Sequence, residues 1–294
     1  MKKLLFIINP NSGKRGSKNG LINALNTFSA AGYQVEVYCT QRNGDCIKKC
    51  KEEGSNYDVV VVSGGDGTMN EATNGLMQCD KKPLIGYIPT GTMNDFAQNF
   101  NLEPSFTKTS KKIVSGRCDT FDVGNINGRY FNYVVGIGAF TSVAYTTDRE
   151  LKENIGDAAY VLTGIGELGN LHPFKVKMTM DEEIYEGNAG MVLITNSYRV
   201  SGMAMVERKE GQLSDGLFDV IIVEWADNPI DQLASPIKLI HPEWKDDPIV
   251  RRYQAANIKI ETEEYVEWTI DGEKGDKTKV ANITNIPGAL KILY

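Results

Sequence analysis

Val59-Val-Val-Val-Ser-Gly-Gly-Asp-Gly-Thr-Met-Asn-Glu-Ala-Thr-Asn-Gly-Leu76 decides the reading of this chain. An uninterrupted run of valine suits a strand covered on both faces, as in a parallel sheet. A glycine-rich turn and a helical stretch follow at once. Gly64, Gly65 and Gly67 are expected to take positive φ and to bring backbone close to a ligand, because no Cβ obstructs them. Asp66 then lies at the carboxyl end of the strand, where open α/β sheets bind ligands. Thr68 is placed to cap the following helix or to offer its hydroxyl to a phosphate. An acid inside a glycine cradle repels a bare anion, so the pattern points to a nucleotide held together with a divalent cation.

Working outward, 294 residues suffice for two modest domains. A composition 41% hydrophobic and 24% charged excludes the disordered and fibrous classes. A net charge of −6 argues against a nucleic-acid partner, which calls for a basic face. Cys39, Cys46, Cys50, Cys79 and Cys118 show no metal-ligand spacing, and His172 and His241 are the only histidines, so a zinc site lacks ligands. Reduced thiols in a cytoplasmic protein are expected. The apolar run Leu4 to Ile8 is shorter than the ~7–15 residues of a signal core and stops at Asn9-Pro10, so it reads as a buried first strand. No apolar run reaches the ~18 residues of a membrane span.

Before residue 120 the chain alternates strand and helix. Strands are expected over Leu4–Ile8, Tyr33–Cys39, Val59–Val62 and Leu84–Ile88. Helices are expected over Gly20–Ala31, Gly44–Glu53, Asn70–Met77 and Asn94–Asn99. That order makes a doubly wound parallel sheet. Beyond a boundary near 118–122, strand-like runs dominate: Phe121–Ile126, Tyr130–Val135, Phe174–Met180, Glu183–Asn196, Leu217–Val223, Asn257–Thr262 and Val266–Ile270. With turns such as Asn127-Gly128 and Asp271-Gly272 they describe an antiparallel sandwich. A helical insertion over Tyr145–Leu171 interrupts them.

Several segments have side chains suited to chemistry. Asn9-Pro-Asn-Ser-Gly-Lys14 follows the first strand, and its amides and Ser12 hydroxyl suit a phosphate, although Walker spacing is absent. Pro89-Thr-Gly-Thr-Met-Asn-Asp-Phe-Ala97 follows the fourth strand, with Thr92 and Asn94 beside Gly91 and a second acid at Asp95. A helix cap explains one of these residues but not the convergence of Asn9, Thr40, Asp66 and Asp95 on one sheet edge. Asp215 in Leu213-Ser-Asp-Gly-Leu217 is either a hairpin residue or the anchor of an oxygen-ligated cation. Thr269-Ile-Asp-Gly-Glu273 is either an exposed Asp-Gly hairpin or a carboxylate pair able to deprotonate an attacking hydroxyl. Gly164-Ile-Gly-Glu-Leu-Gly169 matches a dinucleotide fingerprint in letters only, since no clear strand precedes it, and Gly136-Ile-Gly138 lacks the third glycine.

Taken in order along the whole chain, Asn9-Pro-Asn-Ser-Gly13, Gly64-Gly-Asp-Gly-Thr68, Asn74-Gly-Leu76, Gly91-Thr-Met-Asn-Asp-Phe-Ala97, Asp215-Gly216 and Asp271-Gly-Glu273 resemble the diacylglycerol kinase catalytic-domain family. The nearest likeness is to its soluble bacterial lipid kinases of the diacylglycerol kinase B, YegS and BmrU type. The resemblance implies a nucleotide-binding α/β domain over 1–120, a β-sandwich lipid-substrate domain over 121–285, and a last strand, 286–294, returning to the first domain. It implies ATP in the cleft between the domains, lined by Asn9, Pro10, Asn11, Ser12, Gly13, Thr40, Gly64, Gly65, Asp66, Gly67, Thr68, Thr92 and Asn94. Asp66 and Asp95 are implied to act with Mg²⁺ and the phosphates, Glu273 as the general base, and Asp271 beside it. A structural Mg²⁺ is implied at Asp215, with carbonyls near Gln212 and Leu217.

The implied reaction is ATP- and Mg-dependent phosphorylation of a lipid hydroxyl, with diacylglycerol giving phosphatidic acid. It places the protein in the cytoplasm, peripheral to the inner face of the membrane, and admits a homodimer. Acyl chains are expected near the Tyr145–Leu171 insertion, the candidate membrane-facing element. Gln98 stands where many relatives carry Arg, and Lys108, Lys111, Lys112 and Arg117 are the candidate lipid-docking cations. An NAD kinase or phosphofructokinase shares the Gly-Gly-Asp-Gly turn, but Asn74-Gly-Leu76 and Gly91 to Ala97 fit the lipid branch better. A nucleotide or lipid sensor has no need of Asp271 and Glu273.

Overall fold

A computed structural model describes residues 1–12, 18–138, 172–200, 203–204, 212–225 and 247–294. Gly13 and the expected insertion over Tyr145–Leu171, with its Gly164–Gly169 match, lie outside the described residues. Two compact units emerge: Met1–Val123 with Pro287–Tyr294, and Gly124–Ile286.

The first unit runs β1 (Lys2–Ile8), α1 (Lys18–Ala30), β2 (Tyr33–Cys39), α2 (Asp45–Glu53), β3 (Val59–Gly64), α3 (Asp66–Leu76), β4 (Leu84–Pro89), α4 (Asp95–Asn99), α5 (Phe106–Ser115) and β5 (Cys118–Ile126), the last crossing into the second unit. Leu5 pairs in parallel with Glu36 on one side and Val60 on the other, and Val60 pairs with Ile85. The order is therefore β4-β3-β1-β2. β1 and β3 are central strands, and every residue of β3 is buried. The edge strand β2 shows alternation broken by Val37, which is 46% exposed. After β1 the chain first builds to one side and then crosses to the other. The reversal falls between the carboxyl ends of β1 and β3, where a crevice for ligands opens in such sheets. Leu4, Phe6, Phe28, Val59, Val61 and Ile113 close one core cluster.

The second unit is antiparallel: β6 (Arg129–Phe131), β7 (Val134–Gly138), β8 (Phe174–Met180), β9 (Glu183–Thr195), the short pair β10 (Arg199–Val200) and β11 (Met203–Ala204), then β12 (Phe218–Glu224), β13 (Val250–Ala255), β14 (Asn257–Ile270) and β15 (Glu273–Leu293). Its core holds Trp268 and the stacked rings of Phe131 and Phe218, 5.4 Å apart. β15 continues into the first unit, where Ile292 and Leu293 pair in parallel with Ile85 and Gly86 of β4.

The α/β and antiparallel classes expected from the sequence are those observed, with local differences. Asn257–Thr262 and Val266–Ile270 form one strand, whose pairing with β15 is irregular between Glu261 and Val266. Tyr130–Val135 is two strands, because the backbone of Asn132 and Tyr133 turns to Asp271. α3 starts at Asp66, so the expected turn is already the helix's first turn. Gly64, Gly65 and Gly67 do not take positive φ. At Gly64 and Gly65 glycine is required for space. A Cβ on Gly64 would lie 2.4 Å from the Thr68 side chain, and one on Gly91 would lie 2.5 Å from Gly65 Cα.

Candidate active site

The carboxyl ends of β1, β3 and β4 are joined by side chains as well as by the sheet. Asn9 donates its backbone N–H to Ser63 O at 2.8 Å and its Nδ2 to Thr68 Oγ1 at 2.9 Å. Its Oδ1 accepts the amide of Asn11 at 3.0 Å, which closes an Asx turn after β1. Ser12 Oγ donates to Asn9 O at 3.0 Å and lies 2.7 Å from Thr90 Oγ1. Ser12 has one hydroxyl proton, so Thr90 is the donor in the second bond. Thr40, at the end of β2, turns its hydroxyl to Ile8 O at 3.5 Å. Thr68 is not a cap: Gly65 occupies that position in extended backbone, and Thr68 accepts from Asn9 instead.

Asp66 holds the second connection. Its Oδ2 accepts the amide of Asp95 and its Oδ1 the amide of Phe96, each at 3.1 Å. These amides begin α4 and have no intrahelical acceptor, and the helix end favours a negative charge. Each carboxylate oxygen has further lone pairs, so a cation remains compatible with this arrangement. Asn94 stands just before α4 in the left-handed region, with φ 53. Its Oδ1 accepts from Gly91 N at 2.9 Å and its Nδ2 donates to Gly91 O at 2.8 Å, closing the loop on itself. Asn94 is thus a scaffold for the loop, while Thr92 is exposed at its tip and Asp95 is buried.

In the second unit, Asp271 and Gly272 have φ 47 and φ 77 and link β14 to β15 through a two-residue turn. Asp271 is only 3% exposed. Its carboxylate accepts three successive amides, from Asn132 at 2.7 Å, Tyr133 at 3.0 Å and Val134 at 3.1 Å. That binding makes it a clamp for the turn. Glu273 has a side chain 55% exposed and an ion pair with Arg129 at 3.4 Å. Of the two acids, Glu273 is the one exposed to solvent.

Mg²⁺ takes oxygen donors, and the segment around Asp215 has that chemistry. Asp215 Oδ1 accepts the Leu217 amide at 2.9 Å in a turn where Gly216 has φ 79. Carbonyls of the surrounding residues supply the other oxygens in such a site. The Gln212 side-chain Nε2 donates to Asp219 Oδ2 at 2.8 Å, which leaves the amide and main-chain oxygens of Gln212 as the donors with cation chemistry. Among the described residues, no cluster of three or more His, Cys, Asp and Glu is spaced for a metal ion.

Three of the four expected docking cations, Lys108, Lys112 and Arg117, have local partners. Lys108 pairs with Glu103 at 2.7 Å, Lys112 donates to Asn101 O at 2.7 Å, and Arg117 lies over the Tyr294 ring at 4.9 Å. No described helix is long and apolar enough to cross a membrane. All five cysteines are free thiols. Sequence reasoning missed Thr90, Tyr87, Arg129 and the amides of 132–134. A signal existed for Tyr87: a phenol in the apolar run Leu84-Ile-Gly-Tyr-Ile88 needs a buried partner.

Comparison with known proteins gives the family. Residues 3–126 match the diacylglycerol kinase catalytic domain, and residues 133–294 match the YegS C-terminal NAD kinase beta sandwich-like domain. A diacylglycerol kinase of Bacillus subtilis is 31% identical over 94% of this chain and 91% of its own length. One from Staphylococcus epidermidis is 32% identical over 99% and 92%. The crystal structure of a diacylglycerol kinase from Bacillus anthracis matches with a TM-score of 0.83 at 28% identity, covering 100% of this chain and 97% of that one. This chain belongs to the diacylglycerol kinase family of lipid kinases.

Proposed function

We propose that this chain transfers the γ-phosphoryl group of ATP, presented with Mg²⁺, to a lipid hydroxyl, with diacylglycerol as acceptor and phosphatidic acid as product. The observation that carries the reading is the fastening of three strand-end loops at the sheet's reversal point by Asn9–Thr68, Ser12–Thr90 and Asp66 with the amides of Asp95 and Phe96. Phosphoryl transfer demands positioning and charge neutralisation more than covalent chemistry. Loop amides and hydroxyls held this rigidly suit the first demand. Asp66 and Asp95 supply the carboxylates that a phosphate-bound cation requires.

Glu273 takes the proton from the attacking hydroxyl, Arg129 orients its carboxylate, and Asp271 holds the turn that presents it. Asp215 with nearby carbonyls is the proposed seat of a structural Mg²⁺. Use of ATP and a lipid acceptor places the work in the cytoplasm, peripheral to the inner face of the membrane.

Transfer of labelled γ-phosphate to diacylglycerol in mixed micelles, with NAD in parallel, tests the reading. Label is expected on the lipid and to require Mg²⁺. Glu273→Ala is expected to lower kcat about 10²- to 10⁴-fold, the usual worth of a general base, while the exposed position leaves the fold intact. Label on NAD alone, or full turnover by folded Glu273→Ala, refutes it.

A further inference from the structure

Tyr87 lies beneath the loops just described. Its ring is fully buried and tilted against Phe96, with centroids 6.0 Å apart. Its hydroxyl is 3.2 Å from Gly64 O and 3.5 Å from Asn94 Oδ1. Gly64 is the last residue of β3 and Asn94 the last before α4, so one phenol reaches both loops from below. A phenol has one proton to donate, and Gly64 O is the nearer acceptor.

Both acceptors have another donor. Thr90 N–H reaches Gly64 O at 2.8 Å, and Gly91 N–H reaches Asn94 Oδ1 at 2.9 Å. Removing the hydroxyl therefore orphans neither acceptor, and satisfying them is not its purpose. What the hydroxyl adds is a tie from β4, the strand that leads into the Gly91–Asp95 loop, to the last residue of β3. Above it, a Cβ on Gly65 would already lie 3.3 Å from Gly91 Cα, so the loops touch there without a side chain between them. Asp66 ties them once more through the amides of Asp95 and Phe96.

We infer that Tyr87 is a positioning residue for the nucleotide: its buried hydroxyl sets the spacing between the Gly64–Thr68 loop and the Gly91–Asp95 loop, and with it the separation of Asp66 from Asp95. The inference rests on the reading of these loops as the seat of Mg-ATP. Burial first, and then the charges of Asp66 and Asp95, hold the Tyr87 phenol well above its ordinary pKa, so it stays a donor throughout the working pH range.

Tyr87→Phe keeps the ring and deletes the tie, whereas Tyr87→Leu removes both. Four quantities separate positioning from packing: Mg-ATP Kd by calorimetry, steady-state constants, thermal midpoint, and amide hydrogen exchange across 90–96. Tyr87→Phe is expected to raise the Kd and KM for Mg-ATP about 3- to 10-fold, the worth of one hydrogen bond, and to speed exchange at 90–96. Its kcat and lipid KM are expected to match wild type and its Tm to fall by only a few degrees, about what one hydrogen bond contributes to folding, while Tyr87→Leu loses far more Tm. Wild-type Kd and exchange in Tyr87→Phe overturn this inference and leave the kinase reading standing. A fall in Tm for Tyr87→Phe as large as that of Tyr87→Leu, with kcat and Kd failing together, makes Tyr87 a packing residue and also overturns it. Failure of the wild-type protein to bind Mg-ATP overturns both.

Discussion

Asp66 and Asp271 present their carboxylates to backbone amides, in different units and with different consequences. Asp66 takes two amides across two loops that also carry Asp95, so its geometry is that of a joint. Asp271 takes three amides from one segment, so its geometry is that of a clamp. Its left-handed backbone, φ 47, is one that asparagine tolerates nearly as well. Asp271→Asn therefore isolates the carboxylate from the turn. One acceptor becomes an N–H₂ facing another N–H, and the unfolding free energy is expected to fall by about 2–3 kcal/mol. Turnover is expected to fall with it, because the clamp fixes the turn that carries Glu273. An unchanged urea midpoint in Asp271→Asn would show that the clamp contributes nothing.

At the scale of elements, α3 organises the first unit. Asp66 in its first turn meets the N-terminus of α4, and Glu71 one turn later reaches the N-terminus of α2, accepting Gly44 N at 2.8 Å and Cys46 N at 3.2 Å. Both contacts place a negative charge where helix dipoles favour one. Farther along, Gly75 lets α2 cross closely: an added Cβ would sit 2.5 Å from Cys50 Cβ and 2.5 Å from Ile47 O. This crossing gives the Asn74-Gly-Leu76 motif a packing reason independent of any ligand. In Gly75→Ala, overpacking against fixed backbone costs ~1–3 kcal/mol and helix propensity returns ~1, leaving a net loss of up to about 2 kcal/mol. Chemical unfolding measures it, and a more stable Gly75→Ala protein would mean that the helices separate freely.

For the whole molecule, the long strand β15 is the decisive connection. It begins beside Asp271 and Gly272 in the second unit and ends as a parallel neighbour of β4 in the first. Leu290, Ile292 and Leu293 are buried there, and Leu293 belongs to the same core cluster as Phe6 and Val61. The first unit is thus completed by residues far away in sequence, at the entropic cost of closing a very long loop. Leu293→Ala is expected to destabilise by about 2–5 kcal/mol, as for other buried leucines. Faster amide exchange in β4 and β1 is the expected mark of that loss. Unchanged exchange in those strands would mean that the returning strand is dispensable to the first unit.

The α/β and antiparallel classes, the buried β3, and the convergence of Asn9, Thr40, Asp66 and Asp95 on one sheet edge are legible in the order of residues alone. These follow from local rules: apolar runs set strand type, and strand–helix alternation places every loop of interest at one end of the sheet. What the side chains at that edge do depends on contacts made in the folded chain. Gly64 and Gly65, expected to bend the chain, instead make room, Gly64 for the Thr68 side chain and Gly65 for Gly91, twenty-six residues away. Asp271, expected beside the base, holds amides 137 to 139 positions distant in sequence. Tyr87 resembles an ordinary strand residue until β3 and α4 bring Gly64 and Asn94 to its hydroxyl. Hydrophobic periodicity records which face of a strand is buried, whereas the partner of a buried polar group is chosen by chain segments that only folding brings together.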